Sequence, residues 1–141
     1  MKYKVLLVCS FFLFCTYLQA QRTVWLDELD LSKVDQSAGD AVARKSMWNT
    51  PLIIAGEKFK RGVGTHAESF FRIQLDGKTT FFKALVGIDD SAPAFELAQA
   101  SAEFLVIGDG KILWKSGIMH GGDKAKDINL STKGIKSLLL R

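Results

Sequence analysis

The chain has 141 residues, 19 of them lysine or arginine and 15 aspartate or glutamate, for a formal net charge of +4. Its two cysteines, Cys9 and Cys15, both fall in an apolar N-terminal run. The remainder therefore has no disulfide scaffold, no cysteine nucleophile and no thiolate zinc site, and no run of basic residues marks a nucleic-acid or anionic-membrane surface.

In chain order, the first expected element is an export signal over residues 1–20. Lys2 and Lys4 form its charged start, Val5–Leu18 its apolar stretch and Gln19–Gln21 a small or polar exit, with cleavage after Ala20. The apolar stretch is shorter than the roughly 20 residues a spanning helix needs, so no membrane span is expected after cleavage. Losing Lys2 and Lys4 leaves 17 basic residues against 15 acidic ones, an ordinary surface charge. Residues 21–141 suffice for one domain with a single core, working in the periplasm or outside the cell.

Val24–Leu26 reads as a short strand, Asp27–Ser32 as a turn or one helical turn, and Ser37–Asp40 as a loop. Ala41–Trp48 holds strand-like stretches that Asn49-Thr50-Pro51 breaks. Leu52–Ile54 is a strand and Ala55–Lys58 a turn. The stretch Phe59–Phe71 follows, a shaped loop that gathers Lys60, Arg61, Thr65, His66 and Glu68 around Gly62 and Gly64. From Ser69 the period becomes two, with Phe71, Ile73 and Leu75 on one face. Asp76–Lys78 reverses the chain, and Phe82, Ala84, Val86 and Ile88 align in the next strand. Asp89–Gln99 is a mixed loop. Ala102, Phe104 and Val106 alternate up to Asp109-Gly110, whose two residues at positive φ predict a hairpin. Lys111–Ser116 returns, Gly117–Ala125 is a glycine-rich loop, and Lys126–Leu130 and Ser137–Leu140 are two more strands. Seven to nine short strands with almost no helical period predict an all-β antiparallel sandwich or jelly roll. The apolar strand pattern running into Arg141 suggests a fragment of a longer chain.

The residue types exclude some chemistry. Thr65, His66 and Glu68 have the types of a hydrolytic triad, but close sequence neighbours point in different directions and no nucleophile elbow is present. His66 and His120 are the two imidazoles, too few for zinc without a third partner. Asp89 and Asp90 are adjacent and fit a calcium-binding or turn-capping loop better than a glycosidase pair. Among the indoles, Trp114 is expected in the core and Trp25 against the sandwich, while Trp48 sits in a loop and is expected to be exposed. An exposed indole suits stacking on the CH-rich face of a sugar ring. The candidate carbohydrate-binding set is Trp48, Asn49, Arg61, Thr65, His66 and Glu68, with no catalytic residue assigned. Asp89 and Asp90 are candidate ligands of a structural calcium.

Four ordered blocks then carry a resemblance: Trp25–Leu29, Lys60–Ala67, Val86–Asp90 and Val106–Lys111. Together they resemble the NPCBM domain, also classed as carbohydrate-binding module family 51, over essentially all of residues 21–141. The resemblance implies a galactose-binding-domain-like (discoidin-like) β-sandwich. It implies binding of galactose-containing glycans by a module appended to a secreted glycoside hydrolase, and the Val24–Ser32 and Gly117–Asp123 segments look most like modules of bacterial α-galactosidases. The catalytic domain is then expected downstream of Arg141. Family members continue after Leu138–Leu140 into another strand and a segment rich in Asp, His and Trp, so this chain is expected to lack its last strand. Two other readings stand beside this one. The first is a structural module packing on a neighbouring hydrolase domain without sugar; the second is a small glycosidase acting alone.

Overall fold

The computed structural model describes residues 22–141. The expected export signal at residues 1–20, with both cysteines, lies outside the described residues.

The fold is all-β and antiparallel. The strands are β1 (Val34–Gln36), β2 (Val42–Ala43), β3 (Leu52–Ile54), β4 (Glu57–Phe59), β5 (Val63–Gly64) and β6 (Ser69–Gln74), followed by β7 (Phe81–Val86), β8 (Ser101–Gly108), β9 (Lys111–His120), β10 (Lys126–Ser131) and β11 (Ser137–Leu140). Among the described residues one α-helix, α1 (Ala94–Gln99), interrupts them. A five-stranded sheet runs β1–β6–β11–β8–β9, and β7 pairs with β10 as a separate ribbon. Two small pairs, β2–β5 and β3–β4, complete the set.

The two layers meet on alternating apolar residues. Val106, Ile128 and Leu138 are buried at the centre, surrounded by Ile73, Leu75, Phe82, Ala84, Val86, Trp114 and Leu130. Alternate residues of β7 (Phe82, Ala84, Val86), β10 (Ile128, Leu130) and β11 (Leu138, Leu140) enter this seam, as a two-layer sheet protein requires, whereas β9 sends the neighbours Leu113 and Trp114. Leu138 lies on β11, the middle strand of the large sheet, with β6 on one side and β8 on the other. Ser137–Leu140 is thus hydrogen-bonded along both edges, with Leu138 buried within it.

Hairpin and loop chemistry match the local sequence in several places. Asp109 and Gly110 adopt φ of 46° and 81° and join β8 to β9. The Asp109 carboxylate accepts from the backbone N–H of Lys136 and Ser137, tying that turn to the start of β11. Those backbone donors hold its carboxyl below the usual range.

Elsewhere tertiary context overrode the local reading. Val24 and Trp25 are irregular and Leu26–Glu28 is a 3₁₀ turn rather than the end of a strand. Asp76–Lys78 does reverse the chain, but β6 and β7 belong to different sheets and do not pair. The Ala55–Lys58 turn shrinks to Ala55-Gly56, with Glu57 and Lys58 in β4. Part of the Asp89–Gln99 loop is α1, where Ala94-Phe95-Glu96-Leu97-Ala98-Gln99 follows Pro93. One and a half turns are too few for a helical period to register. The Gly117–Ala125 loop begins only after His120. Gly117 lies inside β9 at φ 66°, in a register irregularity where two β9 residues oppose one of β8. There the Ser116 hydroxyl accepts from Phe104 N–H and so replaces a lost ladder bond. A second irregularity lies at Leu113 and puts Ile112 and Trp114 out of phase. Trp114 packs on the core as expected, whereas Ile112 is 61% exposed.

Candidate functional site

The glycine-rich stretch is a loop with one short strand in it, and it is shaped by backbone approach. A Cβ at Gly64 would lie 2.3 Å from the Lys45 carbonyl oxygen and 2.7 Å from Ser46 backbone atoms, so only glycine fits. Gly62 adopts φ 143°, and its carbonyl accepts from Arg44 N–H at 2.7 Å. Through these contacts the loop Arg44–Pro51 lies directly against Gly62–Gly64.

That neighbouring loop presents Trp48. Ser46 is buried, and its hydroxyl accepts from the backbone N–H of Trp48 at 3.2 Å and shares a hydrogen bond with the Thr50 hydroxyl at 2.8 Å. Asn49 takes left-handed φ, 63°, a conformation asparagine tolerates better than most residues, and its Oδ1 accepts from Lys45 Nζ. The loop is thus closed on itself and leaves the Trp48 indole 53% exposed at its tip. Holding so large an apolar side chain in water loses the stabilisation that burial would bring.

Arg61 turns the other way. One of its terminal nitrogens pairs with Glu28 and the other lies 3.5 Å from Asp27 Oδ2. Its guanidinium sits 4.8 Å from the centroid of the Trp25 ring. Arg44, at φ 63°, donates from Nε to the same Asp27 oxygen at 2.7 Å. The Asp27 side chain is fully buried, and among the described residues its Oδ1 has no partner. The Arg61 hydrogen bond holds the Glu28 carboxyl below its usual range. Two guanidiniums face two carboxylates, so the cluster is neutral and clips the 3₁₀ turn onto β2 and β5. Trp25 is accordingly half-exposed under Arg61, not packed into the sandwich.

His66 is held by neutral bonds. Its backbone N–H donates to Gln36 Oε1 at 3.2 Å, and its Nδ1 lies 2.7 Å from Ser37 Oγ. Thr65 accepts from the Ser69 hydroxyl, and Glu68 pairs with Arg141 at 2.6 Å. Arg141 in turn lies over Phe70, 5.6 Å from its centroid.

Asp89 and Asp90 lie elsewhere and work as staples. Asp89 accepts from the N–H groups of Ile53 and Ser91, and Asp90 from those of Ala55 and Gly56. Every carboxylate oxygen of the pair already has a backbone donor, and Gly87 leaves room for Ile54 beside them. Among the described residues no three His, Cys, Asp or Glu side chains are grouped as a metal site. These four bonds are of the capping kind weighed for the two aspartates.

Of the six candidates, Trp48 and Asn49 therefore share one loop that leans on the backbone leading into Thr65 and His66. Arg61 and Glu68 are engaged in ion pairs to either side. The residues missed in the sequence, Asp27, Glu28, Arg44, Gln36 and Ser37, are partners of loop residues about 17 to 33 positions distant. The acidic pair Asp27-Glu28 was a visible signal; a lone serine in a polar loop was not. Two surface concavities, of about 260 and 460 Å³, are lined by neither Trp48 nor His66.

Comparison with known proteins matches residues 22–141 to the model of the NPCBM/NEW2 domain. The chain is 34% identical over 109 residues to a protein of Akkermansia muciniphila named alpha-1,3-galactosidase B, covering 74% of this chain and 13% of that one. It is 32% identical over 114 residues to a Renibacterium salmoninarum protein named provisionally as an endo-alpha-N-acetylgalactosaminidase, covering 81% of this chain and 7% of that one. The chain thus spans a small fraction of either relative. Among solved structures it is similar to the CBM51 module of a Clostridium perfringens GH95 protein in complex with methyl-galactose. That likeness has a TM-score of 0.70 at 28% identity and covers 83% of each chain. It also shares its fold with tandem CBM51 modules of a family 98 glycoside hydrolase from Streptococcus pneumoniae, with a TM-score of 0.70 at 23% identity over 83% of this chain and 40% of that one.

Proposed function

The chain belongs to the NPCBM/NEW2 domain family, and from that premise we propose that residues 22–141 are a non-catalytic carbohydrate-binding module for neutral, galactose-type glycans. The module serves an exported glycoside hydrolase of the galactosidase or galactosaminidase kind by keeping that enzyme near its substrate. The observation that carries this reading is the likeness, over most of both chains, to a module described in complex with methyl-galactose.

The geometry supports it in chemical terms. The Trp48 indole supplies an apolar face for the CH-rich side of the ring, and His66 and Asn49 lie on adjacent backbone as hydroxyl partners. The ion cluster at Arg61 is neutral and does not favour an acidic sugar. A single shallow site of this kind binds with Kd on the order of 0.1–1 mM, roughly 4–5.5 kcal/mol. Tethering converts so weak an affinity into a raised local substrate concentration.

Calorimetric titration of the folded chain with methyl-galactoside, beside methyl-glucoside and a sialoside, tests the reading. Saturable binding of the galactoside alone supports it. A flat response to all three from folded protein overturns it in favour of a packing module for a neighbouring hydrolase domain. Turnover of an aryl-galactoside would point instead to an enzyme acting alone.

A further inference from the structure

The bonds around His66 assign its protons. Ser37 Oγ lies 2.8 Å from the Ala67 carbonyl oxygen and 2.7 Å from His66 Nδ1. A carbonyl oxygen only accepts, and a serine hydroxyl has one proton to give. Both contacts are hydrogen bonds only when that proton goes to Ala67, in which case Oγ meets Nδ1 with a lone pair and Nδ1 carries the hydrogen. The neutral imidazole then has its other lone pair on Nε2, which among the described residues has no hydrogen-bond partner. Gln36 supports the same arrangement: its Oε1 accepts from His66 N–H while its Nε2 donates to the Ala38 carbonyl, which fixes the amide's orientation. Ser37 N–H also donates to the Glu68 carbonyl at 3.0 Å. The two consecutive residues therefore strap the loop on both sides of the ring.

We infer that Ser37 is a positioning residue that locks His66 as a hydrogen-bond acceptor, with Nε2 receiving a hydroxyl proton of the bound sugar. The inference rests on the carbohydrate-binding reading and sharpens it. The ligand must present a hydroxyl that donates at this point; an ether oxygen, a fluorine or a carboxylate there faces a lone pair. Ser37→Ala removes the acceptor for Nδ1–H and lets the imidazole sample its other tautomer, without touching any group that contacts sugar.

Two measurements test this together. In ¹⁵N-histidine spectra, with His66→Gln used to separate His66 from His120, the wild-type ring is expected to show a protonated Nδ1 and a bare Nε2, and Ser37→Ala a tautomer mixture. In titrations against monodeoxy and deoxyfluoro galactosides, one ring position is expected at which both replacements weaken binding about equally, because neither can donate. Ser37→Ala is expected to lose about 3- to 10-fold in affinity, the range of one net hydrogen bond, and Ser37→Thr, which keeps the hydroxyl, to restore most of it. A wild-type ring protonated on Nε2, or a Ser37→Ala variant with mixed tautomers and unchanged affinity, overturns the inference while leaving the carbohydrate reading intact. Wild-type protein that binds no galactoside sinks that reading and the acceptor role with it.

Discussion

The two ends of the glycine-rich loop are built from similar residues and end in different states. At Arg61 the side chain is consumed: one nitrogen goes to Glu28, another toward Asp27, and its flat face lies over Trp25. At His66 the ring is steadied through one nitrogen, and the other has no partner among the described residues. The first arrangement anchors a segment of chain; the second holds a polar atom ready for something else. A charged residue in a glycine-rich loop is therefore no better a ligand contact than its remaining valences allow, and by that measure His66 outranks Arg61.

Changes at the backbone shared by both ends should have the largest effect. Gly64→Ala pushes a methyl into the Lys45 carbonyl and separates the Trp48 loop from the glycine loop. We expect a loss of about 3 kcal/mol in urea unfolding, together with loss of sugar binding. Asp27→Asn should come next and split the two ends apart. It weakens the hold on Arg44 and Arg61 at a site where the carboxylate is buried but both guanidiniums are partly solvated. Stability should fall by about 1–2 kcal/mol with galactoside affinity within twofold of wild type; a tenfold affinity loss would bring Arg61 back into the binding site. Trp48→Ala should do the reverse, costing at least tenfold in affinity and less than about 0.5 kcal/mol in stability, as expected for an exposed side chain.

Acid should act on the anchoring bonds more gently. The Glu28 and Asp109 carboxyls are both held below their usual range, by the Arg61 hydrogen bond and by the backbone N–H groups of Lys136 and Ser137 respectively. A lowered folded value means that the stabilisation is complete above the ordinary carboxylate pKa and is lost as pH falls through the folded value. Stability should thus decline below about pH 4, and Asp109→Asn should flatten that decline by lowering stability near neutrality, where the carboxylate's contribution is complete, and leaving it little changed in acid.

Much of the architecture was legible because its signals are local. Alternation placed Phe82, Ala84 and Val86 on one face, and Asp109-Gly110 announced its hairpin through two positive-φ residues. The exposure of Trp48 followed from the turn residues beside it. What stayed hidden depends on partners distant in sequence. Nothing near Ile112 signals the irregularity that turns it outward, because the extra residue is defined by the β8 ladder. The exposure of Trp25 depends on Arg61, and Ser37 matters only because the chain returns with His66 beside it. Asp89 and Asp90 accept from the N–H groups of Ile53, Ala55 and Gly56, donors more than thirty positions away that only the fold brings near.

The most direct test of the central claim is to follow the three indole N–H signals and the His66 ring nitrogens while titrating the folded chain with methyl-galactoside. The account predicts that the Trp48 indole and His66 Nε2 shift together and saturably, while Trp25 under Arg61 and Trp114 in the core stay still. A saturable shift at Trp25 with Trp48 and His66 unmoved would contradict it.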